Sequence, residues 1–391
     1  MAGDIQPIVM PKWGLAMEEG VVTAWNVAAG ATIKKGQEIA DIETSKIANV
    51  FESPVSGTLR RLVAPTGETL PVGALLAVVA DKKVGDADLD AFVAKFDEAL
   101  KAALAAKATE KKPEPETIEI AGGRRIRYLK LGSADGPPIL FVHGFGGDLN
   151  NWLFNQEALA EHHTTYAIDL PGHGGSSKDV GGGDLAGLTA ALAAWLDAIK
   201  IERAHLVGHS MGGGVALQLA TSKPDKVASA TLIAPAGLGP DIAMDFINGF
   251  IEASRGKKLE PVLQMIVANP ELVTRDMIED VLKFKRIDGV DAALKKLRDG
   301  LFPGGRQAVS FRDGLAKLKQ PIQVIVGAKD RIIPASHAQG LPGNVQLHVI
   351  ETAGHMPHME ASALGRSRWD IGKQLRFCSK PWRRRSGPTR D

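Results

Sequence analysis

The sequence predicts a multi-domain chain: a small all-β barrel or sandwich, then a doubly wound α/β domain carrying a helical insert. Three observations predict it. In the first 80 residues, Gly20, Gly30 and Gly36 return as Gly57, Gly67 and Gly73, each 37 residues later. From Thr117 onward, short apolar β-type runs alternate with helical patterns. Residues 240–305 break that alternation and read as helical throughout. A length of 391 residues suits two to three domains of ordinary size.

The repeat extends to apolar positions: Val22 maps to Leu59, Ile33 to Leu70 and Ile39 to Leu76. Shared turn glycines and shared core positions imply two copies of one strand-turn unit packed on each other. Lys46, within Asp41-Ile-Glu-Thr-Ser-Lys-Ile-Ala-Asn-Val50, then falls on the connection between the copies, at a hairpin tip. A tip lysine is ordinarily just a solvated charge; a single one displayed between two copies of a repeat is what a swinging-arm carrier needs. Leu89, Phe92, Val93, Phe96, Leu100 and Leu104 follow at helical spacing over 86–107, with Asp86 and Asp88 as candidate caps. Residues 108–116 form a charged Pro/Glu linker, whose nine extended residues reach at most ~30 Å. As a rigid rod, the helix would add ~33 Å. The expected boundaries are 1–82, a helix and linker at 83–116, an α/β domain at 117–364 and a tail at 365–391.

Composition excludes several classes. Hydrophobic residues make up 44% and charged residues 24%, as in an ordinary globular protein. No run of 18 apolar residues is present, so no membrane span is expected, and Met1-Ala-Gly-Asp-Ile-Gln lacks the pattern of a secretory signal. One cysteine, Cys378, rules out an internal disulfide framework and fits a reducing cytoplasm. The net charge of +2 is uneven: residues 365–391 carry nine Lys/Arg against two Asp, a net +7, which leaves about −5 for the rest. The body therefore offers no basic face for nucleic acid. The tail has Trp369, Phe377 and Trp382 in no clear period, and no function is assigned to it.

In the second domain, an antiparallel hairpin is expected over 118–126, turning at Gly122-Gly123. Buried parallel-type strands follow at 139–142, 166–168, 204–207, 231–233, 322–326 and 345–350, with helices at 185–199 and 215–219 between them. The chemistry lies at strand ends. Ala204-His-Leu-Val-Gly-His-Ser-Met-Gly-Gly213 is a strand, a Gly-x-Ser-x-Gly turn and a helix start, which lifts the Ser210 hydroxyl off the sheet. Side chains at Gly208 and Gly212 would collide with the neighbouring strand and helix. Asp330, beyond the strand ending at Val326, is the candidate acid, and His355, in Ala353-Gly-His-Met-Pro-His-Met359, the candidate base. Serine is a poor nucleophile at neutral pH; His355 would take its proton and Asp330 would orient the imidazole. The N–H groups of Phe145, in His143-Gly-Phe-Gly-Gly147, and of Met211 are the candidate oxyanion donors.

These motifs carry two resemblances. Residues 117–360 resemble the α/β-hydrolase fold family, with its His-Gly loop, serine elbow, Asp loop and His loop in order. Residues 1–80 resemble the biotinyl/lipoyl carrier family in Gly30, Gly57, Glu43 and Lys46. The Thr-Ser-Lys-Ile context looks lipoyl, because biotin carriers place methionine on both sides of the lysine; Ser45 departs from the commoner lipoyl Asp. The expected fold class is thus a lipoyl/biotinyl-type barrel followed by an α/β-hydrolase fold with a cap at 240–305. In this order the pair resembles the acyltransferase components of thiamine-dependent dehydrogenase complexes. That resemblance implies lipoate on Lys46, coenzyme A as co-substrate, and two partners: a thiamine-dependent acetoin dehydrogenase component and dihydrolipoamide dehydrogenase. The chain lacks the His-x-x-x-Asp-Gly motif of the usual lipoate-dependent acyltransferase core and a recognisable peripheral-subunit-binding domain, so Ser210 would carry the transfer.

Three readings stay open from sequence: an acyltransferase, a serine hydrolase with a carrier domain, and a carrier or assembly subunit with an inactive elbow. The first two use the same residues. Among neighbouring histidines, His209 reads as packing, His173 as structural within its loop, and His358 as a surface or supporting residue. Asp330 has a rival reading as a turn-capping residue. His162-His163 has no carboxylate or thiol company that would make a metal site. The cap carries ten Lys/Arg against eleven Asp/Glu, so coenzyme A is implied by resemblance and not by charge.

Overall fold

The computed structural model describes residues 5–11, 19–43, 48–109 and 113–363. Lys46 and the tail 365–391 lie outside the described residues. The chain divides into two compact units, Met1–Lys112 and Pro113–Asp391.

Among its described residues, the first unit is all β with one helix. Its strands are β1 (Ile5–Val9), β2 (Glu19–Trp25), β3 (Thr32–Ile33), β4 (Glu38–Glu43), β5 (Ala48–Glu52), β6 (Gly57–Leu62), β7 (Thr69–Pro71) and β8 (Leu75–Ala80). They form two four-stranded sheets, ordered β1-β8-β6-β3 and β5-β4-β2-β7. The 37-residue shift maps β2, β3 and β4 onto β6, β7 and β8, and so maps one sheet order onto the other. Each copy gives its short strand to the sheet of the other copy. Neither copy can close its core alone, which is why the repeat folds as a pair. Val22, Leu59, Ile39 and Leu76 are fully buried in one shared cluster. The turns repeat too: Gly30 and Gly67 lie at φ 92° and 88°, Gly36 and Gly73 at 83° and 85°, where a β-carbon is strained.

Helix α1 (Asp86–Thr109) departs from the expected free rod. Leu89, only 1% exposed, packs with Phe92, Val93 and Phe96 on Leu75, Val78 and Ala80 of the β8 sheet. Its N-terminal half is thus part of the first unit and adds less reach than a rod would. Leu104, at the end of the same stripe, is 38% exposed. Asp86 and Asp88 sit inside the first turn, where their charge opposes the helix dipole; the Gly85 carbonyl accepts from Asp88 and Leu89 N–H.

The second unit opens with the antiparallel pair β9 (Glu116–Glu119) and β10 (Arg125–Leu131). Gly122 and Gly123, both at positive φ, make the turn. Then come β11 (Ile139–Val142), α2 (Leu153–Ala160), β12 (Thr165–Ile168), α3 (Leu185–Ala198), β13 (Ala204–His209), α4 (Met211–Ser222) and β14 (Val227–Ile233). The helical segment follows as α5 (Met244–Glu252), α6 (Gly256–Leu263), α7 (Arg275–Lys285) and α8 (Val290–Leu301), before β15 (Ile322–Gly327), β16 (Val345–Ile350) and α9 (Pro357–Ala363). The eight-stranded sheet runs β16-β15-β14-β13-β11-β12-β10-β9 and is parallel from β16 to β12. Its parallel strands read as continuous apolar runs because both faces are covered: Leu206 joins one core cluster and Val207 the other. Among the described residues, no helix is long and apolar enough to cross a membrane.

Candidate functional site

The carboxyl ends of parallel strands are where α/β sheets bind ligands, and the sequence-predicted residues gather there. Ser210 follows β13 directly at φ 52°, ψ −116°, one of three non-glycine residues at positive φ among those described. Such a conformation costs about 1–3 kcal/mol and persists only where the surroundings enforce it. They do so here: a β-carbon on Gly208 would run into the Gly212 carbonyl, and one on Gly212 into the carbonyls of Val142 and His143. Removing these side chains lets β13 turn sharply into α4. Met211 is the first residue of α4, so its N–H has no helical partner.

His355 lies on the loop after β16, and Asp330 on the loop after β15. Their side chains are 4% and 1% exposed, and His355 Nδ1 lies 2.8 Å from Asp330 Oδ2. Asp330 Oδ1 accepts from Ile332 N–H (2.8 Å) and Ile333 N–H (3.0 Å). Asp330 thus places one oxygen on the His355 imidazole and the other on the turn amides. With Nδ1–H given to Asp330, His355 keeps Nε2 as its proton acceptor.

Ser210, His355 and Phe145 line one cleft of about 100 Å³. Cap residues Phe246, Ile247, Phe250, Met277 and Val281 form much of its wall, and its lining contains no charged residue. Such walls exclude water and leave the polar groups at one end. Gly144–Gly147 must approach closely: a β-carbon on Gly146, at φ 74°, would strike the Phe250 ring.

Three buried histidines hold the loops. His173 Nε2 accepts from Gly146 N–H at 3.0 Å, and its Nδ1 donates to Pro171 O at 3.1 Å. His143 Nε2 accepts from Leu170 N–H at 3.0 Å, and its Nδ1 donates to Gly144 O at 2.7 Å. His209 Nε2 donates to His355 O at 2.9 Å. The patterns of His173 and His143 need a neutral ring, because an accepting Nε2 carries no proton. Burial pushes His173 and His209 well below the usual imidazole range and lowers His143, with neighbouring histidines adding to the shift for the first two. His358 is not a surface residue: it is fully buried, stacked 4.7 Å from Trp152, and burial pushes it down to about 3.

Sequence reasoning missed Glu360. Its buried carboxylate accepts from Gly354 N–H (2.9 Å) and Met356 N–H (3.2 Å) through Oε1, and from Ala268 N–H (2.7 Å) of the cap through Oε2. His355 N–H donates to Ile266 O at 2.9 Å, and the Arg331 guanidinium donates to Gln264 O and to Val267 O. Cap residues 264–268 are thereby tied to both the acid and base loops. Only the spacing after His355 could have drawn the eye to Glu360; its partners are backbone groups with no sequence signature.

In the first unit, β4 and β5 pair antiparallel, with Glu43 opposite Ala48; Lys46 itself lies outside the described residues. No group of three or more His, Cys, Asp or Glu suited to a metal occurs among the described residues.

Comparison with known proteins agrees with this geometry. Residues 137–362 match the alpha/beta hydrolase fold family, and residues 6–79 match the biotin-requiring enzyme family. The meta-cleavage product hydrolase of Pseudomonas fluorescens IP01 shares the fold at TM-score 0.60, with 22% identity over 68% of this chain and 97% of that one. The dihydrolipoyllysine-residue acetyltransferase component of the acetoin cleaving system from Pseudomonas putida is 48% identical over 92% of this chain and 95% of its own length. The protein of the same name from Cupriavidus necator is 45% identical over 91% and 94%. With both domains matched in one order and along nearly the whole length of these relatives, the chain belongs to the family of acetoin-cleaving-system dihydrolipoyllysine-residue acetyltransferase components.

Proposed function

We propose that this protein moves an acetyl group from a lipoyl arm on Lys46 to the thiol of coenzyme A through Ser210, in acetoin breakdown. One observation carries the reading: a strained serine at a helix start and a histidine held by a buried aspartate line the same uncharged cleft. The lipoyl group would be amide-linked to Lys46 and would supply a thiol able to carry acetyl as a thioester. Ser210 Oγ attacks the thioester carbonyl while His355 Nε2 takes its proton. The Phe145 and Met211 N–H groups receive the developing oxyanion. His355 returns the proton to the departing thiol, which leaves acetyl on Ser210. The acceptor thiol then loses its proton to His355, its sulfur bonds the acetyl carbon, and the Ser210 ester bond breaks with the proton going to Oγ. Asp330 keeps the imidazole in the tautomer that both halves need. The apolar cap walls protect the acyl-serine from water between the two steps.

A thiamine-dependent acetoin dehydrogenase component would load the arm, and dihydrolipoamide dehydrogenase would reoxidise it. The single cysteine supports a reducing compartment, the cytoplasm. The test is turnover of acetyl-dihydrolipoamide with and without coenzyme A. Acetyl-coenzyme A formed by the wild type and lost in Ser210→Ala is the expected result. Acetate as sole product, at a rate indifferent to coenzyme A, would establish a hydrolase instead, and transfer retained in Ser210→Ala would remove serine from the mechanism.

A further inference from the structure

A donor thioester and an acceptor thiol must both reach Ser210, and the cleft that holds it is small and uncharged. It suits the hydrocarbon of a lipoyl arm better than a chain bearing amides. A second cavity, of about 280 Å³, lies along the seam between cap and core. Phe302 lines both cavities, and Met211, the neighbour of Ser210, lines the second. Phe302 is 7% exposed, and its ring meets that of Phe145 edge-on at 6.4 Å. One aromatic side chain is thus common to both walls, beside the two candidate oxyanion residues.

The second cavity differs in chemistry. Asp184, Gln218 and Gln307 give it polar edges. Gln218 Oε1 is buried with no hydrogen-bond partner among the described residues. Leaving a buried acceptor unpaired is costly, and a donor on a ligand would offset that cost. Gln307 is already used: its Oε1 accepts from Gly237 N–H at 2.7 Å and its Nε2 donates to Asp241 O at 2.7 Å. These two bonds fix the wall on the cap side. Ala186, Ala308 and Val309 are exposed at the rim, Val309 by 39%.

We propose that this cavity admits the acceptor thiol, on an amide-bearing chain of pantetheine type, and that Phe302 is the door between it and the acyl-serine. The inference rests on the transferase reading above and adds a separate route for the second substrate. The donor arm occupies the apolar cleft, the acceptor chain lies along the seam with an amide N–H on Gln218, and its sulfur passes Phe302 to the acetyl carbon. The bonds made and broken are those of the second half-reaction already described.

The test uses the full chain with Ala186→Trp and Ala308→Trp, rim positions that take no part in the chemistry. Filling the rim should raise KM for coenzyme A by about tenfold or more, a change of about 1.4 kcal/mol in binding. The burst of p-nitrophenol from p-nitrophenyl acetate, which reports acylation of Ser210 alone, should stay within about twofold of wild type. An unchanged KM in both variants overturns the proposal, as does a burst that falls in parallel. Calorimetric binding of S-methyl pantetheine separates this inference from the transferase reading. Binding that weakens in Ala308→Trp keeps the cavity assigned even where the wild-type acyl-serine goes only to water. No binding to the wild type overturns the assignment even where transfer to coenzyme A is found.

Discussion

Asp330 divides two tasks between two oxygens, so its variants should separate them. Asp330→Asn keeps an oxygen for the Ile332 and Ile333 amides but offers His355 Nδ1 the wrong partner. Acylation of Ser210 should fall roughly 10³-fold or more while the melting temperature stays near wild type. Asp330→Ala should lose both, and a thermal melt beside the ester burst distinguishes the two cases. Glu360 tells a different story, since its carboxylate serves three backbone donors and touches no reacting atom. Glu360→Ala leaves those donors buried without partners, at about 1–3 kcal/mol each. Chemical denaturation should show a loss of several kcal/mol in the second unit. Acylation should weaken as well, because the His355 loop hangs from the same carboxylate.

At the scale of elements, the elbow is first of all a packing solution. β13 and α4 approach so closely that Gly212 faces the carbonyls ending β11. Gly212→Ala should therefore cost about 3 kcal/mol or more through forced displacement of that strand end, readable as a lower denaturant midpoint. The cap is an element of the site rather than a loose lid, because backbone and side-chain bonds from 264–268 run to both the Asp330 and His355 loops. In the first unit, α1 is held by Leu89 against β8. Leu89→Ala should cost about 2–4 kcal/mol in that unit and leave the ester burst of the second unaltered.

At the scale of the molecule, the buried histidines set the response to acid. Burial depresses His143, His173 and His209, moves His205 to about 4 and His358 to about 3. An unfolded histidine titrates near its ordinary value of about 6.5, so below that pH the unfolded chain binds more protons than the folded one. Stability is therefore full above about 6.5 and is lost as pH falls toward the depressed folded values. Melting temperatures across pH 7.5 to 4.5 should drop steeply below about 6.5, and His205→Gln should lessen that slope. The separation of carrier and site gives another expectation. Lys46→Arg should abolish turnover that starts from the loading dehydrogenase while leaving the p-nitrophenyl acetate burst intact. Mixing Lys46→Arg with Ser210→Ala chains and recovering turnover would show that arms serve neighbouring chains.

The sequence alone determined the two-part architecture, the 37-residue repeat and the strand ends that carry Ser210, Asp330 and His355, because each leaves a local pattern: glycines at positive φ, continuous apolar runs on strands buried on both faces, and motifs in topological order. What has no local pattern was decided by tertiary structure. Helix α1 looked like a free rod because an amphipathic stripe does not name the surface it meets; the β8 sheet supplied that surface. His358 read as either surface or supporting because its local sequence does not choose between them; Trp152, from a distant segment, stacks on it and it is fully buried. Glu360 carried no signal because its partners are backbone amides of two loops brought together only by the fold. The uncharged cleft and the seam cavity that share Phe302 likewise exist only once the cap closes over the sheet, since their walls come from segments far apart in the chain.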